Sequence, residues 1–501
     1  MFSYRNLFIL FLSMIAGISL FPLQAQSVTL DEVLAAVMEN NPFFDKEKLN
    51  AIIAEKERDA YLGDQDWLLS AIPQFARQNP LPPSSFAPKQ IDQLGLNLGA
   101  SRLFWKTGGR LSFQLVSDFS EQKGLENIVL PFGTWLNNPT IPDLEFETGP
   151  SKYYQSRLLF SYSQPLFQNF SGTLDRLGFE VSQTGVDIAY LQVLENQEQY
   201  LLQIATQFLQ WVLLDEQKYI AQERLKLAAQ QLERERDKRA AKLIDEVDVL
   251  RSEDAVRIAE QGVVLITSQW RGKQTELAVL TQWPELIILV PDYDLYNRHN
   301  NMQPDDAVKL VRERSRILRI VAAQIKQLER QKEGIEELVK PQLYLNTQYT
   351  LKDGGVNFND AYSFSTGDLG IGLTFSYPLG NRTAARQSEK FSIMLKQLQY
   401  TDEEVAISLE AGLRNLMIQS EEIEKALDLN KLQIATATRK TEEEQKRYNQ
   451  GRSDLAFVIQ SQDSEEQARL TYAENAARYQ LLQLKIKELM DELLSDNTDI
   501  Y

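Results

Sequence analysis

Apolar and polar residues alternate with a period of two in five short stretches of this chain, and recur with a helical period in four very long ones. Leu94, Leu96 and Leu98 point one way, against Gln93, Gly95, Asn97 and Gly99. Leu111, Phe113 and Leu115 oppose Arg110, Ser112 and Gln114, and Leu158, Phe160 and Tyr162 oppose Arg157, Ser161 and Ser163. Leu343, Leu345 and Tyr349 oppose Gln342, Asn346 and Gln348, and Ile371, Leu373, Phe375 and Tyr377 oppose Gly370, Gly372, Thr374 and Ser376. Each stretch has one greasy face and one polar or glycine face. Outer-membrane strands have this form: about 10 residues, apolar toward lipid, polar toward the lumen, aromatics near the ends. Trp105, Tyr153, Tyr154, Tyr162, Tyr362 and Tyr377 are the candidates for such an aromatic girdle. A soluble sandwich with one solvated face alternates in the same way.

The helical stretches separate these readings. Leu174–Arg239 holds no proline, and no glycine after Gly185. At 1.5 Å per residue it predicts a helix of roughly 100 Å. Ala384–Gln450 is comparable, and return helices are expected near Asp245–Gln282 and Asp454–Leu494. An ordinary globular helix has about 11–12 residues. Leu201, Ile204, Ala205, Phe208, Trp211 and Val212 occupy more than one helix face, so this helix packs against two neighbours. The charged runs Gln231–Arg239 and Thr441–Arg447 read as solvated faces.

The pattern occurs twice. Ser161–Leu166 ends an alternating stretch before one long helix, and Phe375–Gly380 ends another before the second. Pro165 and Pro378 lie about 213 residues apart, and self-similarity on that scale decides architecture. Thr29-Leu-Asp-Glu32 is a capping box that starts a helix, and Asn40-Asn41-Pro42 interrupts it. Helix continues to about Ser70, and Pro73 stops it; Gln303-Pro-Asp-Asp306 and Pro341 repeat this in the second half. Strand and helix therefore hand over at Pro73, Pro165, Pro341 and Pro378, where proline is tolerated between elements. Pro73 and Pro341 are about 268 apart, which leaves about 55 extra residues in the first half. The proline-rich Glu121–Pro150 is the expected place for them, as a long loop. The expected organisation is a signal peptide (1–25) and a first repeat (26–286: helices 29–70, strands and loop 93–165, helical hairpin 166–286). A connector (287–303), a second repeat (304–494: helix 304–339, strand hairpin 341–378, helical hairpin 379–494) and a tail (495–501) follow.

Composition narrows the function. The 501 residues carry a formal net charge of −17, which argues against a nucleic-acid partner. There is no cysteine, and the one histidine, His299, reads as packed or solvated. No catalytic, cofactor or metal residues are assigned. Asp353–Asp360 has calcium-loop residue types without the closing Glu, and reads as a hairpin turn. Arg5, the apolar run Leu7–Leu20 and Ala25 describe a secretory signal peptide. No later run spans a bilayer as a helix, so entry into a membrane has to be by strands. Four or five strands cannot close a transmembrane barrel, which needs at least eight. Several copies must then contribute, and four strands from each of three copies give twelve.

The chain resembles the TolC-like outer membrane efflux protein family over nearly all of its mature length. The residues that carry the resemblance are Thr29-Leu-Asp-Glu32 with Asn40-Asn41-Pro42, Ser163-Gln-Pro-Leu-Phe167, and Arg447-Tyr-Asn-Gln-Gly-Arg-Ser453 followed by Asp454 and Ser461-Gln462. It implies a mainly α fold with transmembrane β: duplicated strand–helix units forming a trimeric 12-stranded outer-membrane β-barrel, continued by a long periplasmic α-helical barrel. It also implies a Gram-negative-type outer membrane, lipid contact, a homotrimer, a periplasmic adaptor protein and an inner-membrane pump of RND or ABC type. The implied function is a passive exit duct for efflux or type I secretion. Departures are the absent N-terminal cysteine that many relatives acylate and the long Glu121–Pro150 segment. A periplasmic coiled-coil adaptor is the alternative, though adaptors have one helical hairpin. A carboxylate glycosidase would need a concave pocket that long helices do not offer.

In this family the closed tip is tied by acidic residues of the first helical hairpin meeting Tyr and a basic residue of the second. Asp248, Tyr448 and Arg452 stand at the matching positions, and Phe457 and Gln460 occupy places where some relatives carry acidic rings. Exposed pairs of this kind contribute about 0–1 kcal/mol each, which suits a gate. Asp248→Ala or Arg452→Ala is expected to raise single-channel conductance in planar bilayers; unchanged conductance in both would sink the lock.

Overall fold

The computed structural model describes residues 27–80, 88–124, 128–146, 149–299 and 302–494. The signal peptide expected at 1–25 and the tail at 495–501 lie outside these residues. Two compact units emerge, each assembled from separate pieces of chain. One takes the residues up to Ala51 together with Ala189–Val321 and the chain from Thr401. The other takes Ile52–Ile188 and Ala322–Tyr400.

The strands are β1 (Ser27–Val28), β2 (Leu68–Gln78), β3 (Gln90–Phe104), β4 (Gly109–Lys123), β5 (Ile128–Leu130), β6 (Leu144–Phe146), β7 (Lys152–Pro165), β8 (Val290–Pro291), β9 (Gln342–Gly355) and β10 (Thr366–Ser376). The α-helices are α1 (Leu30–Asn40), α2 (Pro42–Ala60), α3 (Phe132–Trp135), α4 (Leu177–Ala240), α5 (Glu246–Leu280), α6 (Pro304–Arg314), α7 (Arg316–Val339), α8 (Arg382–Asn449) and α9 (Leu455–Leu489). The long helices measure 64 and 68 residues, and each is followed by a return helix of 35. Among the described residues, no helix is long and apolar enough to cross a membrane.

In the unit rich in strands, one antiparallel sheet runs β10-β9-β7-β4-β3-β2. It has six strands where the alternation counts four or five. The helix expected to Ser70 ends at Ala60, followed by a 3-10 turn at Tyr61–Gln65 that contains Gly63. The chain from Leu68 is already strand, and Pro73 sits inside β2, opposite Leu96. Pro73 is therefore not a junction. Within one chain β2 is the last strand of the sheet, a position where proline is found in sheets. Pro165 closes β7, Pro341 separates α7 from β9, and Pro378 separates β10 from α8.

The first half's extra residues are also placed differently. Most of them form the hairpin β3–β4, and Glu121–Pro150 is only partly loop, holding the end of β4, β5, β6 and α3. The turn between β3 and β4 is locked onto the chain that links β7 to α4. Gly108 (φ +71) lies so close to it that a Cβ would stand 2.7 Å from the Asn169 carbonyl oxygen. A Cβ on Gly172 (φ +68) would stand 1.8 Å from that of Trp105. Arg176 Nη1 donates to the Trp105 carbonyl at 3.2 Å, and Gln164 Nε2 to that of Thr107 at 2.5 Å. The added hairpin is thus packed into the sheet's end, not appended to it.

The unit rich in helices is held by a core of Phe208, Trp211, Leu277, Leu286 and Tyr479, all under 1% exposed. Thr29 and Glu32 form the capping box that starts α1. Asn41 Nδ2 donates to the Leu280 carbonyl at 2.7 Å, tying the α1–α2 break to the end of α5. Arg316, the first residue of α7, is fully buried. It pairs with the equally buried Glu198, and its Nη2 donates to the Leu494 carbonyl at 2.8 Å. Its backbone N–H donates to Asp491 at 2.7 Å, and the Leu493 N–H donates to Glu198 at 2.7 Å. The chain end beyond α9 is clamped here to α4 and α7.

Burial pushes the Glu198 carboxyl up to about 7, against the pull of Arg316. Burial also raises Glu195 and Glu488 nearby. Between about pH 4.5 and 7 the folded chain then holds a proton that the unfolded chain has released. Stability accordingly rises as pH falls through that window. The melting temperature is expected to increase from pH 7 to pH 5, with a shallower slope in Glu198→Gln; identical slopes would contradict this.

Candidate functional site: strand wall and helical tip

The sheet register sorts its residues onto two faces, because side chains alternate along each strand. One row crosses all six strands as Leu369, Tyr349, Phe160, Phe113, Ala100 and Leu69. Next to it run Leu351, Leu158, Leu115, Leu98 and Ala71. This face stays open to the outside: Leu369, Ile371, Leu373 and Phe375 are each 65–70% exposed. An exposed apolar surface of this extent marks an interaction site.

The opposite face is polar or small: Ser70, Gly99, Gln114, Thr350 and Asp368 share a row, with Leu159 among them. Two charge pairs on it bridge neighbouring strands. Arg157 pairs with Asp118 at 3.1 Å, and Lys352 with Asp368 at 2.5 Å. At the far end of β9, Asp353 accepts hydrogen bonds from the hydroxyls of Ser363 and Ser365 and from the Gly354 N–H. These bonds close the β9–β10 hairpin.

Aromatic residues cluster at both ends of the apolar face. Tyr154, Phe119, Phe358 and Tyr362 pack together at the hairpin end, with ring centroids 4.8–5.8 Å apart. The Tyr362 hydroxyl is 2.7 Å from that of Ser117. Tyr162 marks the other end, with Trp67, Phe104 and Tyr377 exposed at the strand ends there. Tyr154 and Tyr162 are eight residues apart, roughly 27 Å along a strand, close to the apolar band of an outer-membrane barrel. Two girdle candidates lie elsewhere. Tyr153 points to the polar face, and Trp105 is 7% exposed, packed on Phe179 in the β3–β4 turn. Turn packing claims Trp105 where strand alternation would have left it outside. Alternation singled out neither Trp67 nor Phe358; Trp67 precedes β2, the strand it failed to detect.

The helical tip belongs to the other unit. Tyr448, in the last turn of α8, donates its hydroxyl to Glu235 on α4 at 2.6 Å. Glu235 is fully buried and also receives Gln231 Nε2 at 2.5 Å and Lys238 Nζ at 3.1 Å. Lys238 Nζ lies 4.0 Å over the Tyr448 ring. Burial, together with the Glu235 carboxylate, raises the Tyr448 hydroxyl well above its ordinary value and keeps it a donor.

Among the described residues Asp248 makes no hydrogen bond or ion pair with Tyr448 or Arg452, though its charge acts on the Tyr448 hydroxyl. It accepts from Arg251, one turn along α5, at 3.3 Å. Arg251 also reaches Asp454, the N-cap of α9, at 3.2 Å. Arg452 is exposed, and its guanidinium pairs with no carboxylate among the described residues. Phe457 is 57% exposed on α9, and Gln460 is exposed. Glu235 and Gln231 escape the sequence reading because it treats Gln231–Arg239 as a solvated face. The signal was present: Ile220, Arg224, Ala228, Gln231 and Glu235 are buried at helical spacing. The apolar stripe of α4 continues in polar residues.

One chain thus combines a six-stranded open sheet that has an exposed apolar face with two very long helical hairpins. No family model matches the sequence, and no curated protein is similar to it in sequence. The likeness is to solved structures, at identities where only fold is shared. The outer membrane protein VceC of Vibrio cholerae aligns at 11% identity and TM-score 0.64, over 92% of this chain and 96% of that one. The CmeC outer membrane channel of Campylobacter jejuni aligns at 11% and 0.62, over 94% and 87%. The MtrE outer membrane channel of Neisseria gonorrhoeae aligns at 14% and 0.57, over 93% and 89%.

Removing the Tyr448 hydroxyl deprives a buried carboxylate of a donor, a loss of about 1–3 kcal/mol. Tyr448→Phe is therefore expected to speed amide exchange in the last turns of α8 and leave β4 and β7 unchanged. Equal exchange at the tip would contradict the assignment.

Proposed function

We propose that the chain is the outer-membrane exit duct of a tripartite efflux or type I secretion system. It works as a homotrimer whose strands lie in outer-membrane lipid and whose helices stand in the periplasm. An energised inner-membrane pump, of RND or ABC type, and a periplasmic adaptor deliver the substrate. The duct itself conducts passively and performs no catalysis.

One observation carries this reading: the sheet's exposed apolar face, bounded by aromatic residues about 27 Å apart and backed by a polar face. The fold likeness to outer-membrane channels supports it. A periplasmic adaptor would bury or solvate such a face, and would need one helical hairpin where this chain has two. The tip contacts suit a gate in the second role. The Tyr448–Glu235 bond and the Arg251–Asp454 pair each join the first hairpin to the second. The exposed Arg452 is free to meet a carboxylate of a neighbouring copy.

Outer-membrane fractions are expected to retain the protein through high salt and carbonate, and the purified protein to form cation-favouring channels in planar bilayers. Release by carbonate, with no conductance, would favour the adaptor.

A further inference from the structure

We propose that the membrane wall is built from six strands per copy, with β2 of one copy paired to β10 of the next, so that three copies close an eighteen-stranded barrel. The inference rests on the channel reading and goes beyond it, since the strand number sets the width of the duct.

The two outer strands of the sheet carry the argument. β10 is exposed at every residue and β2 at all but Ala76, on both faces, whereas β4, β7 and β9 are largely half-buried. Each outer strand lacks one flank. A sheet edge in hydrocarbon leaves unpaired N–H and C=O groups at several kcal/mol each, so both edges must find partners. The sheet cannot join its own edges, because six strands are fewer than the smallest transmembrane barrel. The partner is therefore another copy of this chain.

The edges match one another. Each is 11 residues long. Five successive antiparallel pairings separate them, so β2 and β10 run in opposite directions, as an antiparallel junction requires. Odd-numbered residues carry the apolar face on both: Leu69, Ala71 and Phe75 on β2, and Leu369, Ile371 and Leu373 on β10. A junction pairing odd with odd continues the apolar face around the barrel without a break. Pro73 removes at most one donor from this ladder.

The added hairpin is part of the wall. β3 pairs with β4 over 15 residues and with β2 over 11, and its turn is locked by Gly108 and Gly172. A four-strand contribution would require β2 and β3 to leave the sheet and break these ladders. Barrel diameter grows roughly linearly with strand number, so eighteen strands give a lumen about half again as wide as twelve.

The chain has no cysteine, which makes crosslinking clean. Ala71→Cys on β2 is combined in turn with Ile371→Cys, Leu373→Cys and Phe375→Cys on β10, in outer membranes under mild oxidation. At least one pair is expected to give covalent species of two and three chains on denaturing gels, absent from the single variants, and native mass spectrometry to give three copies. A disulfide formed within one chain would overturn the proposal, as would a copy number other than three. So would crosslinking of Leu115→Cys on β4 to the same β10 positions, with none from Ala71→Cys. Because each variant is also tested for conductance, a conducting channel without the β2–β10 link refutes the strand count and leaves the channel reading standing.

Discussion

A β-strand in hydrocarbon has no water to satisfy its backbone, and under the proposed function this constraint governs the whole strand unit. Every N–H and C=O must meet another strand. The chain supplies six strands with one apolar face, too few to close by themselves. Strand polarity, edge length and the continuity of the apolar rows then become properties of a shared wall. The same constraint explains the locked β3–β4 turn. An added hairpin survives in such a wall only when its turn is packed and its ladders are complete on both sides. Gly108 and Gly172 supply that packing through approaches that no side chain would allow.

The helical unit follows a different logic. Its interior is polar for long stretches, and many of its buried polar groups are held by specific partners. Gln480 Nε2 donates to the Leu295 and Asn297 carbonyls, Gln483 Nε2 to Ser420, and Arg224 pairs with Asp463 at 2.7 Å. Leaving such a group unmade costs more than making the bond gains, so these contacts fix which helices are neighbours. Burial differs among these contacts. The Arg316 cluster is wholly buried and clamps the chain end. The Arg251–Asp454 pair is exposed and weak.

Much of this was legible in the sequence, for physical reasons. Period-two alternation is strong in β4, β7, β9 and β10 because one face meets an apolar medium and the other does not. The long helices are legible because proline and glycine are nearly absent from them. β2 was not legible. Leu68 and Leu69 are adjacent apolar residues on opposite faces, Ile72 points to the polar side, and Pro73 reads as a helix stop. Its detection would have required trusting Gly63, Asp64 and Asp66 as the end of the preceding helix. Asp248, Tyr448 and Arg452 are placed at the tip by the family resemblance; the Tyr448–Glu235 bond was not legible, because Gln231–Arg239 reads as a solvated face. Trp105 is an aromatic near the end of an alternating stretch and so is expected in the girdle, whereas the locked turn buries it.

The central claim is that strand closure is shared between copies. A cryo-electron microscopy map of the full chain in lipid nanodiscs tests it most directly, by counting strands around the membrane barrel. The account predicts eighteen, six from each of three copies, with β2 beside the neighbour's β10. A barrel of twelve strands, or one closed by a single chain, would contradict it.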